Sequence, residues 1–193
     1  MMAAVMMTAQ EQAAAMMADA YSRIGPNFGA TMSTSGPGAT NLITGICCSW
    51  FDSIPVLHIS GQVNTYEQRD FHASLKNVRQ VGFQETDIVS ITNTITKFSK
   101  KINDKKLIKF YFEKSYNISQ DRRQGPVLID LPMGQLKLLA IRLKVRLRLG
   151  PDFFSSLERI SALEYARVGQ TVFGSMILLA IASTRFDNIL SLS

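Results

Sequence analysis

Cysteine and histidine are scarce: the 193 residues contain two of each. Cys47 and Cys48 are neighbours in a helical pattern, where successive side chains point about 100° apart and do not readily bridge. They are expected as buried free thiols. Reduced thiols and the absence of a recognisable secretory signal point to the cytoplasm. His58 and His72 lie far apart with no ligand-like partners, so one is expected in the core, the other at the surface, and no metal site is expected. Long apolar runs are missing too. Residues 172–182 are nearly all apolar but too short to span a bilayer, so a buried or interfacial helix is the reading. The opening Met1-Met2-Ala3-Ala4-Val5-Met6-Met7 lacks the basic start of a signal peptide and reads as a helix lead-in or a damaged terminus.

Negative charge is the smaller share, which leaves a net charge of +6, but the excess is uneven. Residues 1–133 carry 13 Lys/Arg against 11 Asp/Glu, a balance of +2, and the last 60 carry 8 against 4, a balance of +4. No compact basic face with interleaved aromatics appears in the first part, so nucleic-acid binding is not expected. An apolar fraction of 46% and a charged fraction of 19% fit a globular chain rather than a disordered one. The length suits one domain with a proper core, or one domain and an appendage.

Along the chain, strands and helices alternate. Thr8-Ala9-Gln10-Glu11 has capping-box spacing, and a helix rich in Ala and Met is expected over 9–23, stopping at Gly25-Pro26. Residues 28–34 read as a short buried strand and 39–51 as a helix with Leu42, Ile43, Ile46 and Trp50 on one face. A second buried strand, 55–60, ends at Gly61, and a polar stretch over 62–82 is too long for a simple connector. A third strand is expected within 95–102, then a helix over 105–119 with Leu107, Ile108, Tyr111 and Phe112 inward, then a fourth strand over 127–131. This order implies an α/β fold, a parallel sheet with helices on both faces, with ligands beyond the carboxyl ends of the strands, where the Gly36 and Gly61 turns fall. The tail differs. Residues 141–149 alternate strictly, with one cationic side, and 153–167 form an amphipathic helix pattern.

Two features carry chemistry. Glu11 is a carboxylate on a helix, and Ser33-Thr34-Ser35-Gly36-Pro37-Gly38-Ala39-Thr40-Asn41 is a turn with little side chain, against which a flat ligand can lie. Taken from the residues alone, Glu11 either completes the capping box or exchanges a proton with a ring nitrogen of that ligand. The turn is either a plain strand-to-helix connection, with Asn41 in the helix's first turn, or one wall of a pocket. A phosphate loop is disfavoured, because no lysine follows the glycines at the required spacing.

Six blocks occur in one order: Gln10-Glu11-Gln12-Ala13-Ala14, Thr34-Ser35-Gly36-Pro37-Gly38-Ala39-Thr40-Asn41, Asp52-Ser53-Ile54-Pro55, Ser60-Gly61-Gln62-Val63, Phe83-Gln84-Glu85-Thr86-Asp87-Ile88 and Gly125-Pro126-Val127-Leu128-Ile129-Asp130-Leu131-Pro132. Together they resemble the pyrimidine-binding domain of thiamine diphosphate-dependent enzymes, most closely the acetolactate synthase catalytic subunit, with the Phe83 block pointing to that branch. The resemblance implies a thiamine diphosphate-binding fold over residues 8–133 and an unassigned basic and apolar extension over 134–193. It implies that Glu11 is catalytic, sharing a proton with the aminopyrimidine N1′ in a dry pocket that the surrounding alanines and methionines supply. It implies that Gly36, Pro37, Gly38 and Asn41 form the wall of the pyrimidine pocket. Phe83 and Gln84 match positions on the substrate side; without the resemblance they read as an ordinary loop with one buried aromatic.

The implied activity is that of a transferase in branched-chain amino acid biosynthesis, decarboxylating and joining small 2-keto acids. Magnesium would be held through a diphosphate-binding domain with a Gly-Asp-Gly motif, which the 193 residues do not contain, and FAD is an option in the full-length enzyme. A homodimer, or pairing with a diphosphate-binding domain, follows. This chain departs from the family in several ways. Gln10 stands where the family usually has histidine, only ten residues precede Glu11, the 62–82 segment is longer than usual, and the resemblance stops after Met133. One hypothesis is therefore an enzyme fragment, inactive alone. A second is a non-catalytic binding or assembly module that pairs with a separate diphosphate-binding chain. Another thiamine diphosphate decarboxylase or lyase is a further alternative, and a third reading makes the tail a membrane-surface element.

Overall fold

The computed structural model describes residues 3–6, 10–24, 28–72, 74 and 78–135. Strand and helix alternate as β1 (Ala3–Met6), α1 (Glu11–Ser22), β2 (Phe28–Ser33), α2 (Pro37–Asn41), α3 (Ile43–Asp52), β3 (Val56–Gln62), α4 (Ile88–Thr92), β4 (Phe98–Lys101), α5 (Ile108–Gln120) and β5 (Val127–Pro132). The strands form one sheet in the order β1-β2-β3-β5-β4, and every neighbouring pair is parallel. The three interior strands are buried along their whole length, the burial expected of a parallel sheet covered on both sides.

Alternation along each interior strand sends its residues to two different layers. Phe28, Ala30 and Met32 of β2, Leu57 and Ile59 of β3, and Val127, Ile129 and Leu131 of β5 form one core with Ile108 and Phe112 of α5. Leu128 faces the other way and packs with Ala15 of α1, Ala39 of α2, Leu42 and Ile46 beside and on α3, and Ile88 of α4. Polar side chains share that second face: Thr31, His58, Ser60 and Asp130 are all buried, and Thr31 pairs in register with His58 as Ser60 does with Asp130.

Small residues let α1 lie close to the sheet: Ala14, Ala15 and Ala18 are fully buried. Ser22 fixes its end, donating from Oγ to the Pro55 carbonyl at 2.9 Å while accepting from the Gly29 N–H at 2.7 Å. Asp19 accepts from Ser49 Oγ of α3 at 2.8 Å and from Arg23 Nε at 2.6 Å, joining the two helices.

Several expectations change. The opening segment is no helix lead-in, because Ala3–Met6 pairs with Phe28–Thr31 as an edge strand. The helix expected over 39–51 divides at Leu42 into α2 and α3, and the third strand is confined to Phe98–Lys101. Leu107 is exposed, since a 3₁₀ turn over Lys105–Leu107 precedes α5 and turns it away from the core, and Tyr111 is only half-buried. Cys47 and Cys48 are free but half-buried rather than buried, on the flank of α3. The tail strand, the amphipathic helix and the apolar run after residue 135 lie outside the described residues.

Candidate functional site

The first turn of α1 and the turn after β2 meet at the carboxyl end of the sheet. Glu11 opens α1 behind Gln10, and its Oε2 accepts from Asn41 Nδ2, at the end of α2, at 2.9 Å. Among the described residues nothing donates to Oε1. That oxygen lies above Gly38, where an added Cβ would come within 3.0 Å of it and 2.6 Å of Thr34 Cγ2. Thr8, the other half of the expected capping box, lies outside the described residues, and Gln10 caps without a side-chain hydrogen bond.

An open depression of about 510 Å³ spreads from this carboxylate, bounded by Glu11, Thr34, Pro37 and Gly38 and closed by Thr40, Asn41 and Gln84. Gly36 does not line it. Its backbone has φ 61°, a left-handed value that favours glycine, and an added Cβ would stand 2.6 Å from Gln84 Cβ. The turn therefore needs Gly36 for its path and Gly38 for its open surface. Gln84 also has φ 58°, which places it against Gly36 at the edge of the depression.

Of the residues singled out in the sequence, Glu11, Pro37, Gly38, Asn41 and Gln84 come together, and Gly36 supports them from beneath. Phe83 does not join them: it is 67% exposed, not the buried aromatic of an ordinary loop. Nor is Glu11 in a dry pocket. Its side is half-buried, the buried alanines of α1 (Ala14, Ala15 and Ala18) belong to the core, and Met16 and Met17 are exposed. Thr34 and Thr40 were not singled out; both stood inside the glycine block, and only the turn's geometry shows that they face the depression.

Behind the depression, a buried polar group joins the sheet to the 82–87 loop. Asp130 Oδ1 accepts from Ser60 Oγ at 2.7 Å, and Oδ2 accepts from Gln62 Nε2 at 3.2 Å. Gln62 Nε2 also donates to the Thr86 carbonyl at 2.8 Å, and its Oε1 accepts from the Val63 N–H at 3.0 Å. Burial pushes the Asp130 carboxyl up to about 7, against the opposing pull of the Ser60 and Gln62 hydrogen bonds. The signal in the sequence was a lone carboxylate in the apolar run Val127-Leu128-Ile129-Asp130-Leu131.

His58 is the expected core histidine: Nδ1 bonds Thr31 Oγ1 at 2.8 Å, while the buried Nε2 has no hydrogen-bond partner among the described residues. Burial pushes its pKa down to about 3, so the ring is neutral. His72 donates from Nε2 to the Tyr66 carbonyl at 2.7 Å. The described residues hold no group of three or more His, Cys, Asp or Glu placed to bind a metal ion, and none of their helices is long and apolar enough to cross a membrane.

A parallel α/β sheet of this order carries its candidate site, a carboxylate beside a glycine turn, at the carboxyl ends of the strands, where open α/β sheets bind ligands. Residues 3–91 match the family model described as thiamine pyrophosphate enzyme, N-terminal TPP binding domain, and this segment is such a domain. The chain is 42% identical over 127 residues to the acetolactate synthase large subunit of Buchnera aphidicola subsp. Acyrthosiphon pisum (strain APS), an alignment covering 66% of this chain and 20% of the relative. It is 43% identical over 122 residues to that of Cyanidium caldarium, covering 63% and 19%. Against the acetolactate synthase of Arthrospira platensis it is 38% identical over 122 residues, with the same coverage of 63% and 19%. The chain thus spans about a fifth of the length of these curated relatives.

Proposed function

We propose that residues 8–133 are the pyrimidine-binding half of a thiamine diphosphate-dependent, acetolactate synthase-like enzyme acting on small 2-keto acids, with 134–193 a separate extension. The observation that carries this reading is the Glu11–Asn41 contact above Gly38, which holds one carboxylate oxygen and leaves the other over a surface without a side chain. That arrangement fits a flat aminopyrimidine, which needs a carboxylate at a ring nitrogen and a wall it can lie against. When bound, thiamine diphosphate supplies the electron sink for loss of carbon dioxide from a 2-keto acid and for joining the remainder to a second acceptor.

The residues singled out at the site divide the work in this reading. Asn41 fixes Oε2 of Glu11, so that Oε1 is the oxygen that gives and takes the proton at the ring nitrogen. Gly36, Pro37 and Gly38 shape the wall, and Gln84 bounds the substrate side, with Phe83 beside it and open to a covering surface. Because Glu11 is half-buried and Asn41 exposed, exclusion of water falls to a second domain laid over the depression. In this reading a diphosphate-binding domain, whose Gly-Asp-Gly motif the 193 residues do not contain, would hold the diphosphate and its magnesium, and FAD is an option in the full-length enzyme. A cytoplasmic place in branched-chain amino acid biosynthesis goes with this activity.

The 193-residue chain by itself is expected to form no acetolactate from pyruvate. Paired with a complementary diphosphate-binding domain, thiamine diphosphate and magnesium, it is expected to exchange the cofactor's thiazolium C2 proton. Glu11→Gln should slow that exchange by about 10²–10⁴-fold, the usual worth of a positioned proton-transfer group. Equal exchange by wild type and Glu11→Gln would remove Glu11 from the chemistry. A second reading, a non-catalytic pairing module, is favoured by the exposed Tyr66, Phe71 and Phe83 in the connection between β3 and α4. A pair that binds the cofactor without any exchange in wild type would support it.

A further inference from the structure

We propose that Asp130, acting through Gln62, is the positioning residue that holds the 82–87 loop against the Gly36 turn and so fixes the Gln84 edge of the depression. This rests on the pyrimidine-site reading for its functional meaning, but not for its geometry. Gln62 ends β3, and its side-chain amide is divided between two elements 44 residues apart: Nε2 reaches both the Asp130 carboxylate of β5 and the Thr86 carbonyl. Its Oε1 is held by the Val63 N–H, so the amide cannot turn over without losing all three bonds. Ser60 fixes that carboxylate from the neighbouring strand, donating to its Oδ1.

The loop has few other ties to the sheet. The Glu85 carboxylate binds within the same surface layer, accepting from the Arg69 N–H at 2.7 Å and from the Val81 N–H at 2.9 Å, and the Glu85 N–H itself bonds the Gly82 carbonyl. These bonds join loop to loop. The Gln62–Thr86 bond joins loop to sheet, two residues from Gln84, whose left-handed backbone abuts Gly36. Asp130 is 1% exposed, and the charged groups acting on it are Lys101, its register partner on β4, and Asp87 at the start of α4. Lys101 is drawn outward by an ion pair with Asp70 at 2.8 Å, which leaves Ser60 and Gln62 as the hydrogen-bonding partners of the carboxyl group.

The protonation state of Asp130 sets how firmly the latch holds. As a carboxylate it accepts a charge-assisted bond from Gln62, and as a neutral acid a weaker one. The loop is therefore held more tightly above the pKa of about 7 than below it.

The test is hydrogen exchange and two-dimensional amide NMR on the full 193-residue chain without ligand. Asp130→Ala should raise exchange at the Arg69, Val81 and Glu85 amides by tenfold or more, while the Leu57, Ile59 and Ile129 amides of the sheet stay protected. Asp130→Asn, which still offers an acceptor to Gln62 and a donor to Ser60, should restore most of that protection. Gln62→Met keeps the volume and deletes the latch, and it should reproduce the loop effect if Asp130→Ala fails to fold. In wild type, the Gln84–Asp87 amide shifts should titrate with a midpoint near 7, and in Asp130→Asn they should not. Unchanged loop exchange in both Asp130→Ala and Gln62→Met would overturn the proposal, as would a uniform loss of protection across the sheet. None of these readouts involves thiamine diphosphate, so a failed cofactor reading would leave them intact.

Discussion

Burial moves the protons of two neighbouring polar residues in opposite directions. His58 is held neutral, with its pKa pushed down to about 3 from 6.5, and Asp130 is pushed up to about 7 from 3.8. Between about pH 4 and 6.5, unfolding lets His58 gain a proton and makes Asp130 release one, so the two contributions offset. Replacing Asp130 by Asn removes one side of that balance. Stability should then rise with pH across this window more steeply than in wild type, by about 1.4 kcal/mol per pH unit for the uncompensated proton of His58. Above pH 7 the wild type carries a buried carboxylate and the variant does not, so Asp130→Asn should be the more stable protein there. Urea unfolding at pH 4.5, 5.5, 6.5 and 8 reads both effects, and parallel pH profiles would show that Asp130 titrates normally.

At the scale of elements, the turn between β2 and α2 does the most for the site. Gly36 has a backbone conformation that other residues rarely adopt, and its missing Cβ is the space into which Gln84 fits. Gly36→Ala should lower stability by about 1–3 kcal/mol and displace the Gln84 edge, weakening cofactor binding in the reconstituted pair. Thr40→Ala, at a partly exposed position on the same turn, should stay within about 0.5 kcal/mol of wild type, which separates backbone strain from loss of a side chain. Thermal melts and cofactor titration of both variants check this. The turn itself was legible in the sequence, because its glycines interrupt an apolar strand before a periodic helix. So were β3 and β5, whose apolar runs flanked by Gly and Pro carry their own signal. The contact between Glu11 and Asn41 spans 30 residues, and spacing alone could not place it; the resemblance assigned both residues to one pocket without pairing them. Gln62 and Asp130 meet only because β3 and β5 are neighbours in a particular register, and no local pattern encodes that pairing. The division of the second helix at Leu42 was hidden because the apolar positions keep their spacing across it.

The sheet as a whole has two edges, and they are protected differently. β4 ends the sheet on one side with Phe98-Ser99-Lys100-Lys101, where Lys100 is exposed and Lys101 is paired with Asp70; charge of this kind discourages strand addition. On the other side, β2 is buried along its length and uncharged, and β1 is what occupies its hydrogen-bonding edge. Ala3-Ala4-Val5-Met6 has a composition that suits a helix as well as a strand, so its strand state comes from pairing with β2 rather than from propensity. Deleting residues 1–7 would leave the β1-facing amides and carbonyls of the Phe28–Thr31 segment unpaired on an apolar strand. Each lost backbone bond costs about 1 kcal/mol net, so a loss of about 2–4 kcal/mol is expected. The freed edge should also recruit a second chain, giving more concentration-dependent association than wild type shows under the same conditions. Urea midpoints and sedimentation velocity at two protein concentrations read the two effects separately. A shortened chain with unchanged stability and unchanged association would mean that β1 does not guard this edge.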